Sequence, residues 1–227
     1  MKNLVILFAF MLSLSVVGQN KYGLTPESYN DYKKSIAINP EKELVDLEKF
    51  IPGIVLDIRY ATATNFTKKK VYGLAKAYAR RPVAEALKQA QEEFNKMGLG
   101  IKIYDSYRPY SATVKFYELM KGDTTYVASP YHGSRHNRGC AVDMTIVNLK
   151  TGKELDMPTP YDAMQKESWP STPLSDPRIS KNRNILISTM EKNGFNVYVT
   201  EWWHFDFTGW EKFDVMDIDF EQLESKK

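Results

Sequence analysis

Two short stretches of this chain carry side chains that could do chemistry together. Ser134-Arg135-His136-Asn137-Arg138-Gly139-Cys140-Ala141-Val142-Asp143 sets a histidine and an aspartate seven positions apart around a glycine-bearing turn. Glu201-Trp202-Trp203-His204 sets a glutamate and a histidine three apart. Two imidazoles and one carboxylate match the ligand count of a catalytic zinc site, which keeps its fourth position for water. The remaining carboxylate, Glu201, is the group such a water needs as proton acceptor. The chain has only 3 histidines, and His136 and His204 both fall in these motifs, while His132 and the acidic C-terminal tail receive no role.

Each of these residues also has a plainer reading. A histidine in isolation is more often a hydrogen-bonded structural residue than a ligand, and the residue types alone leave both readings of His136 open. Glu-x-x-His places both groups on one side of a helical turn but on opposite sides of a straight strand, so Glu201 reaches the His204 site only if the chain bends near Trp202 and Trp203. Core packing accounts for at least one of those tryptophans. Cys140 would face away from Asp143 if both lie on one strand, which makes it a small buried residue rather than a ligand. As the only cysteine, it has no partner for an intramolecular disulfide. Arg108 follows a strand-like run and precedes Pro109. A guanidinium at a strand end suits a developing oxyanion, but on the residues alone a surface salt bridge is the favoured reading.

These residues have to be held by a framework. Val83, Ala86, Leu87, Ala90, Phe94 and Met97 recur at three- and four-residue steps, predicting a helix over 82–97 with Pro82 in its first turn and Gly98 as its stop. Strands are expected at 54–60, 99–105, 141–147, 196–200 and 204–208, and further helices at 111–121 and 177–193. The stretch 158–177 is proline-rich and aperiodic, which predicts a long ordered loop of the kind that forms lids and pocket walls. The implied class is α+β: a small, mostly antiparallel central sheet flanked by helices, with the metal site at the sheet in a cleft.

Composition restricts the functional classes. Hydrophobic residues make up 43% of the chain and aromatics 13%, enough for a packed core. The net charge of +3 gives no electrostatic support for nucleic-acid binding, and the Lys68-Lys69-Lys70 run reads as a solvated loop. Residues 1–18 read as a signal peptide: Lys2 precedes an apolar run from Leu4 to Val17 that is shorter than the ~20 residues needed to span a bilayer. No stable membrane insertion is expected after cleavage, and the mature protein is expected to be exported, periplasmic or secreted. Residues 19–40 read as a polar, irregular arm, and 41–227 as a single catalytic domain.

Ser-x-His-x-x-Gly-x-Ala-x-Asp at 134–143 followed by Glu-x-x-His at 201–204 resembles the zinc D,D-peptidases that act on peptidoglycan precursors and stems. Within them the chain is most similar to the D-alanyl-D-alanine dipeptidase branch. Supporting matches are Tyr60-Ala61-Thr62 with Asn65-Phe66, Asp105-Ser106-Tyr107-Arg108-Pro109, and Asp156-Met157 with Thr159-Pro160-Tyr161-Asp162. The resemblance implies that His136, Asp143 and His204 bind one Zn²⁺, that Glu201 is general base and then acid, and that Arg108 stabilises the tetrahedral intermediate. It also implies that Tyr60, Ser134 and Asp162 line the pocket, with Asp162 facing the ammonium group of a small D-peptide. Arg135, directly before the first ligand, and Pro158 depart from what some relatives carry. The same motif serves D,D-carboxypeptidases and endopeptidases that cut stem peptides. A non-catalytic, zinc-stabilised binding module is a further alternative, although such a module needs neither Glu201 nor Arg108.

Overall fold

The computed structural model describes residues 20–225, so the leader read over 1–18 lies outside the described residues. Helix α1 (Tyr29–Ile38) opens behind an N-cap at Ser28, whose hydroxyl accepts from the Asp31 amide. This corrects the expectation of an irregular arm over 19–40. The Tyr32 ring is buried, and its hydroxyl accepts a 2.7 Å hydrogen bond from the amide of Leu44. One aromatic residue thus docks a segment whose composition is otherwise polar.

Strand β1 (Leu44–Asp46) leads into the one-turn helix α2 (Leu47–Phe50), then into β2 (Val55–Leu56) and β3 (Tyr78–Arg80). The strand expected over 54–60 is much shorter. After Asp57, whose amide still reaches Ile103 O, the chain leaves the sheet through a 3-10 turn at Arg59–Ala61 that buries Tyr60. Helix α3 (Arg81–Lys96) buries Val83, Leu87, Ala90 and Phe94 of the stripe its spacing predicts, while Ala86 is half-buried and Met97, at the C-cap, is exposed. It is followed by β4 (Leu99–Asp105), α4 (Tyr110–Leu119) and β5 (Ala141–Asn148). Then come α5 (Pro177–Lys192), β6 (Phe195–Tyr198), β7 (Glu201–Phe207) and the short α6 (Phe220–Glu224).

The main sheet has the order β2-β4-β5-β7-β6, with β2 parallel to β4 and every other pairing antiparallel. A separate ribbon pairs β1 with β3. The protein is therefore α+β with an open, mostly antiparallel sheet. Strand β5 is its middle member and is buried along nearly its whole length, so both its faces are covered. Val142, Met144 and Ile146 join the hydrophobic core with Ile101 and Ile103, and alternation turns Asp143 to the other face. Among the described residues no helix is long and apolar enough to cross a membrane.

Candidate active site

Sheet register brings the first candidate ligands together. Asp143 on β5 is paired directly with His204 on β7 and, on its other side, with Asp105 at the end of β4. The β4–β5 ladder shifts by one residue between Ile103 and Asp105. Without that bulge Asp105 would share the face of Ile103 and Met144; with it, Asp105 faces the site beside Asp143. Three side chains from three strands thus form one row across the sheet.

His136 joins this row from a 3-10 turn (His136–Arg138) closed by Gly139 in the left-handed region at φ +69°. A β-carbon there would lie 2.7 Å from Leu44 Cδ2 and 3.3 Å from the Arg80 amide nitrogen, so this close approach depends on glycine. Asn137 anchors the turn: its Oδ1 accepts from the Ser134 amide at 2.7 Å, and its Nδ2 donates to Arg108 O and Thr113 Oγ1. Ser134 Oγ accepts from the Asn137 amide in return. Ser134 therefore lines the cavity while also capping the turn that carries His136.

His136 Nε2, His204 Nδ1 and Asp143 Oδ1 converge, at 3.1 Å between the two nitrogens and 3.3 and 3.0 Å from them to the carboxylate. The outer nitrogen of each imidazole is occupied. His136 Nδ1–H donates to Ser106 O at 2.7 Å, and His204 Nε2–H donates to Asp206 Oδ1 at 2.9 Å. With those protons directed outward, the rings in their neutral form would present two lone pairs to each other and to a carboxylate, an arrangement that suits a cation, whether a proton or a metal ion. Burial disfavours the His204 imidazolium, yet Asp206 and Asp143 outweigh it and hold its pKa well above the ordinary value. Burial likewise opposes the Asp143 carboxylate, but His136 and His204 keep its pKa far below the usual range. The group as a whole favours positive charge, and the donor set fits a metal ion.

The second oxygen of Asp143 accepts from Tyr161 Oη at 2.9 Å, so the proline-rich loop is tied directly to a candidate ligand. That loop is ordered, as its length led one to expect. Thr159 and Ser168 are buried and bonded to each other, and Trp202 Nε1 donates to Thr159 Oγ1. Glu201 Oε2 lies 3.8 Å from His204 Nδ1. The β6–β7 ladder breaks between the Val197–Phe205 and Tyr198–Glu201 pairs, which is the irregularity at the two tryptophans that a strand-borne Glu-x-x-His requires. Both tryptophans are buried, and Trp203 also lines the cavity. Burial above all, with the negative charge of Asp143 adding to it, pushes the Glu201 carboxyl up to about 7.

Arg108 donates through Nε and Nη2 to Asp105 Oδ2 at 3.0 and 2.7 Å, and its guanidinium lies over the rings of Tyr60 and Phe116. Tyr72 Oη donates to the same Asp105 carboxylate. Arg108 is thus a buried residue fixed on two sides and not a surface ion pair. Beside it, Tyr60 Oη donates to both carboxylate oxygens of Asp162. Asp162 adopts a left-handed backbone (φ 60°), and burial, followed by Asp143, pushes its carboxyl up to about 8. These groups enclose a cavity of about 260 Å³. That lies at or below the low end of ligand pockets, roughly 300–1,000 Å³.

With this geometry, sequence comparison decides the family: the D-ala-D-ala dipeptidase model matches residues 40–221. The chain belongs to that family of peptidases. Curated relatives agree. The D-alanyl-D-alanine dipeptidase of Escherichia coli is 34% identical over 164 residues, 72% of this chain and 84% of its own. That of Enterococcus faecalis is 32% identical over 190 residues, covering 73% and 91%. Among solved structures, an LD-carboxypeptidase aligns at 22% identity over 71% of each chain, with a TM-score of 0.41. As a family member the protein is a hydrolase of the metallopeptidase kind, with a cell-wall-related function.

The structure brings all eight residues singled out from sequence to this one cavity: Tyr60, Arg108, Ser134, His136, Asp143, Asp162, Glu201 and His204. Cys140 is fully buried and stands outside the ligand group, its thiol pushed up to about 12 by burial. His132 is exposed at the cavity wall. Four supporting residues received no role from the sequence: Asp105, Asn137 and Tyr161, which stand within the quoted motifs, and Asp206, which does not. For Asp206 a signal existed, since His-x-Asp on a strand puts both side chains on one face.

Proposed function

We propose that the protein is a zinc-dependent dipeptidase that hydrolyses D-Ala-D-Ala to D-alanine. One observation carries the reading: three converging ligand atoms and a raised carboxyl, Glu201, share a small cavity with a second buried carboxyl, Asp162. The names of the curated relatives support the dipeptide substrate. The donor set of two imidazoles and one carboxylate suits zinc. The reading places a leader at 1–18, removed on export to the periplasm or beyond, and the catalytic domain at 41–227.

His136, Asp143 and His204 would hold the ion. Bound there, zinc supplies a Lewis acid for the scissile carbonyl and lowers the pKa of water. Glu201 accepts the proton from the attacking water and returns it to the leaving amine, a role that a carboxyl near 7 suits at neutral pH. Arg108 faces the oxyanion that develops as the carbonyl is attacked. Asp105 takes its Nε and Nη2, and Nη1 has no hydrogen-bond partner among the described residues. Asp162, held by Tyr60, receives the ammonium group of the free dipeptide, whose positive charge favours the carboxylate form of a group that burial and Asp143 otherwise push up to about 8, and Ser134 lines the same pocket.

The test compares D-Ala-D-Ala with a stem pentapeptide, each with added zinc and with chelator. Zinc-dependent cleavage of the dipeptide is expected; cleavage of the pentapeptide alone would replace this reading with a carboxypeptidase. Glu201→Ala should retain zinc by elemental analysis and lose at least ~100-fold in kcat. Unchanged turnover would remove Glu201 from the role of base.

A further inference from the structure

The cavity has a second charged pole that the mechanism above does not use. Asp162, with Tyr60 and Arg108, lies toward the β4 side of the ligand row. Arg135 lies on the other side, where its guanidinium is stacked over Trp210 (4.7 Å to the centroid) and Tyr198 of β6 (6.0 Å). Arg135 lines the same cavity as Asp162 and its side chain is 38% exposed. Its sole acidic neighbour among the described ion pairs is Asp206, 3.6 Å from Nε, and Asp206 already accepts from His204. Nε itself is buried and makes no hydrogen bond, and neither Nη makes one among the described residues. Two aromatic faces therefore hold a guanidinium at the cavity wall with its donor edge unused, which is an arrangement suited to a planar anion.

We propose that Arg135 is a specificity-determining residue that receives the C-terminal carboxylate of the substrate. This rests on the dipeptidase reading and deepens it. A free dipeptide is a zwitterion with its two charges at opposite ends and its one peptide bond between them. The site has the complementary order: a carboxyl at Asp162, the ligand row in the middle, and a guanidinium at Arg135. A substrate without a C-terminal charge leaves that guanidinium unanswered. Arg135 thereby supplies a reason to prefer a free carboxylate, and its position next to His136 in the chain ties the anchor to the ligand turn.

The test uses the full chain loaded with zinc, with D-Ala-D-Ala and its C-terminal amide as the probes. Wild-type kcat/KM should favour the acid over the amide by about 10–100-fold, the scale of one charge-assisted hydrogen-bonded contact. Arg135→Ser should raise KM for the acid by a similar factor, change kcat less, and bring acid and amide to near parity. Arg135→Lys should recover part of the preference. Because Arg135 also neighbours Asp206, zinc content is measured in each variant. Calorimetric binding of acid and amide is measured in the Glu201→Gln background, where turnover does not interfere. An acid-over-amide preference that survives Arg135→Ser in both kinetics and binding overturns the proposal. If wild-type protein cleaves no D-Ala-D-Ala, the dipeptidase reading itself fails and the anchor falls with it, whereas dipeptide turnover with no preference for the acid sinks the anchor alone.

Discussion

At the residue scale, each imidazole of the ligand row is committed by its outer nitrogen. His204 depends on Asp206 for this, and His136 on a main-chain carbonyl that no substitution can remove. Asp206→Asn should therefore weaken zinc affinity by roughly 10–100-fold, the usual effect of losing a partner behind a metal-binding histidine. A competitive chelator titration measures it, and unchanged affinity would show that Asp206 serves only its contact with Arg135. Glu201 gives a second expectation. As the proposed base its active form is the carboxylate, which is lost as pH falls through its pKa. Rate over KM should therefore rise with pH along an acid limb at or below about 7, and Glu201→Gln should abolish the limb together with the activity. That the three candidate ligands and Glu201 would meet was legible in the sequence because their types are rare and their spacing is short. The arrival of Asp105 and Tyr161 was not, because they meet Asp143 through a one-residue bulge and a loop closure that local pattern does not encode.

At the scale of elements, the His136 turn is the part most exposed to backbone change. Gly139→Ala puts a β-carbon on a left-handed residue against Leu44 and the Arg80 main chain. The flexible Leu44 tip can give way, but the Arg80 amide cannot. The expected cost is on the order of 1–3 kcal/mol in denaturant unfolding, with weaker zinc binding beside it. Long, periodic elements were readable in advance: the helix expected over 82–97 is α3, and that expected over 177–193 is α5. The elements that escaped are those whose stability is tertiary. Helix α1 depends on burying Tyr32, while β2 ends early because Tyr60 is drawn into the cavity wall. Neither event leaves a period in the sequence.

For the whole molecule, the buried charges link stability to pH and metal. Glu201 and Asp162 hold protons in the folded state up to about 7 and about 8, whereas unfolded carboxyls lose them near ~4. His204, also raised, acts in the same direction. Between these limits the folded state binds more protons, so the stability contributed by all three is complete at low pH and declines as pH rises. Asp143 and Asp206, both depressed, contribute stability that is lost only as pH falls below the usual carboxylate range. The proposed zinc would compete with protons for its ligands, so its stabilisation would grow with pH. The gap in Tm between zinc-loaded and chelator-treated protein should therefore widen from pH 5 to pH 8. A constant gap would contradict this coupling.

The tail bears on when the enzyme becomes complete. Met216 donates from its amide to Asn137 O in the ligand turn and accepts from the Tyr110 amide at the start of α4, while the Ile218 amide and carbonyl both bond to Tyr107 Oη, one residue before Arg108. The two loops that carry His136 and Arg108 are thus strapped by a segment translated after every residue of the site itself. A nascent chain can hold all of its chemistry and still lack the piece that fixes it in place, so activity waits for the 216–218 segment rather than accumulating as the site residues emerge.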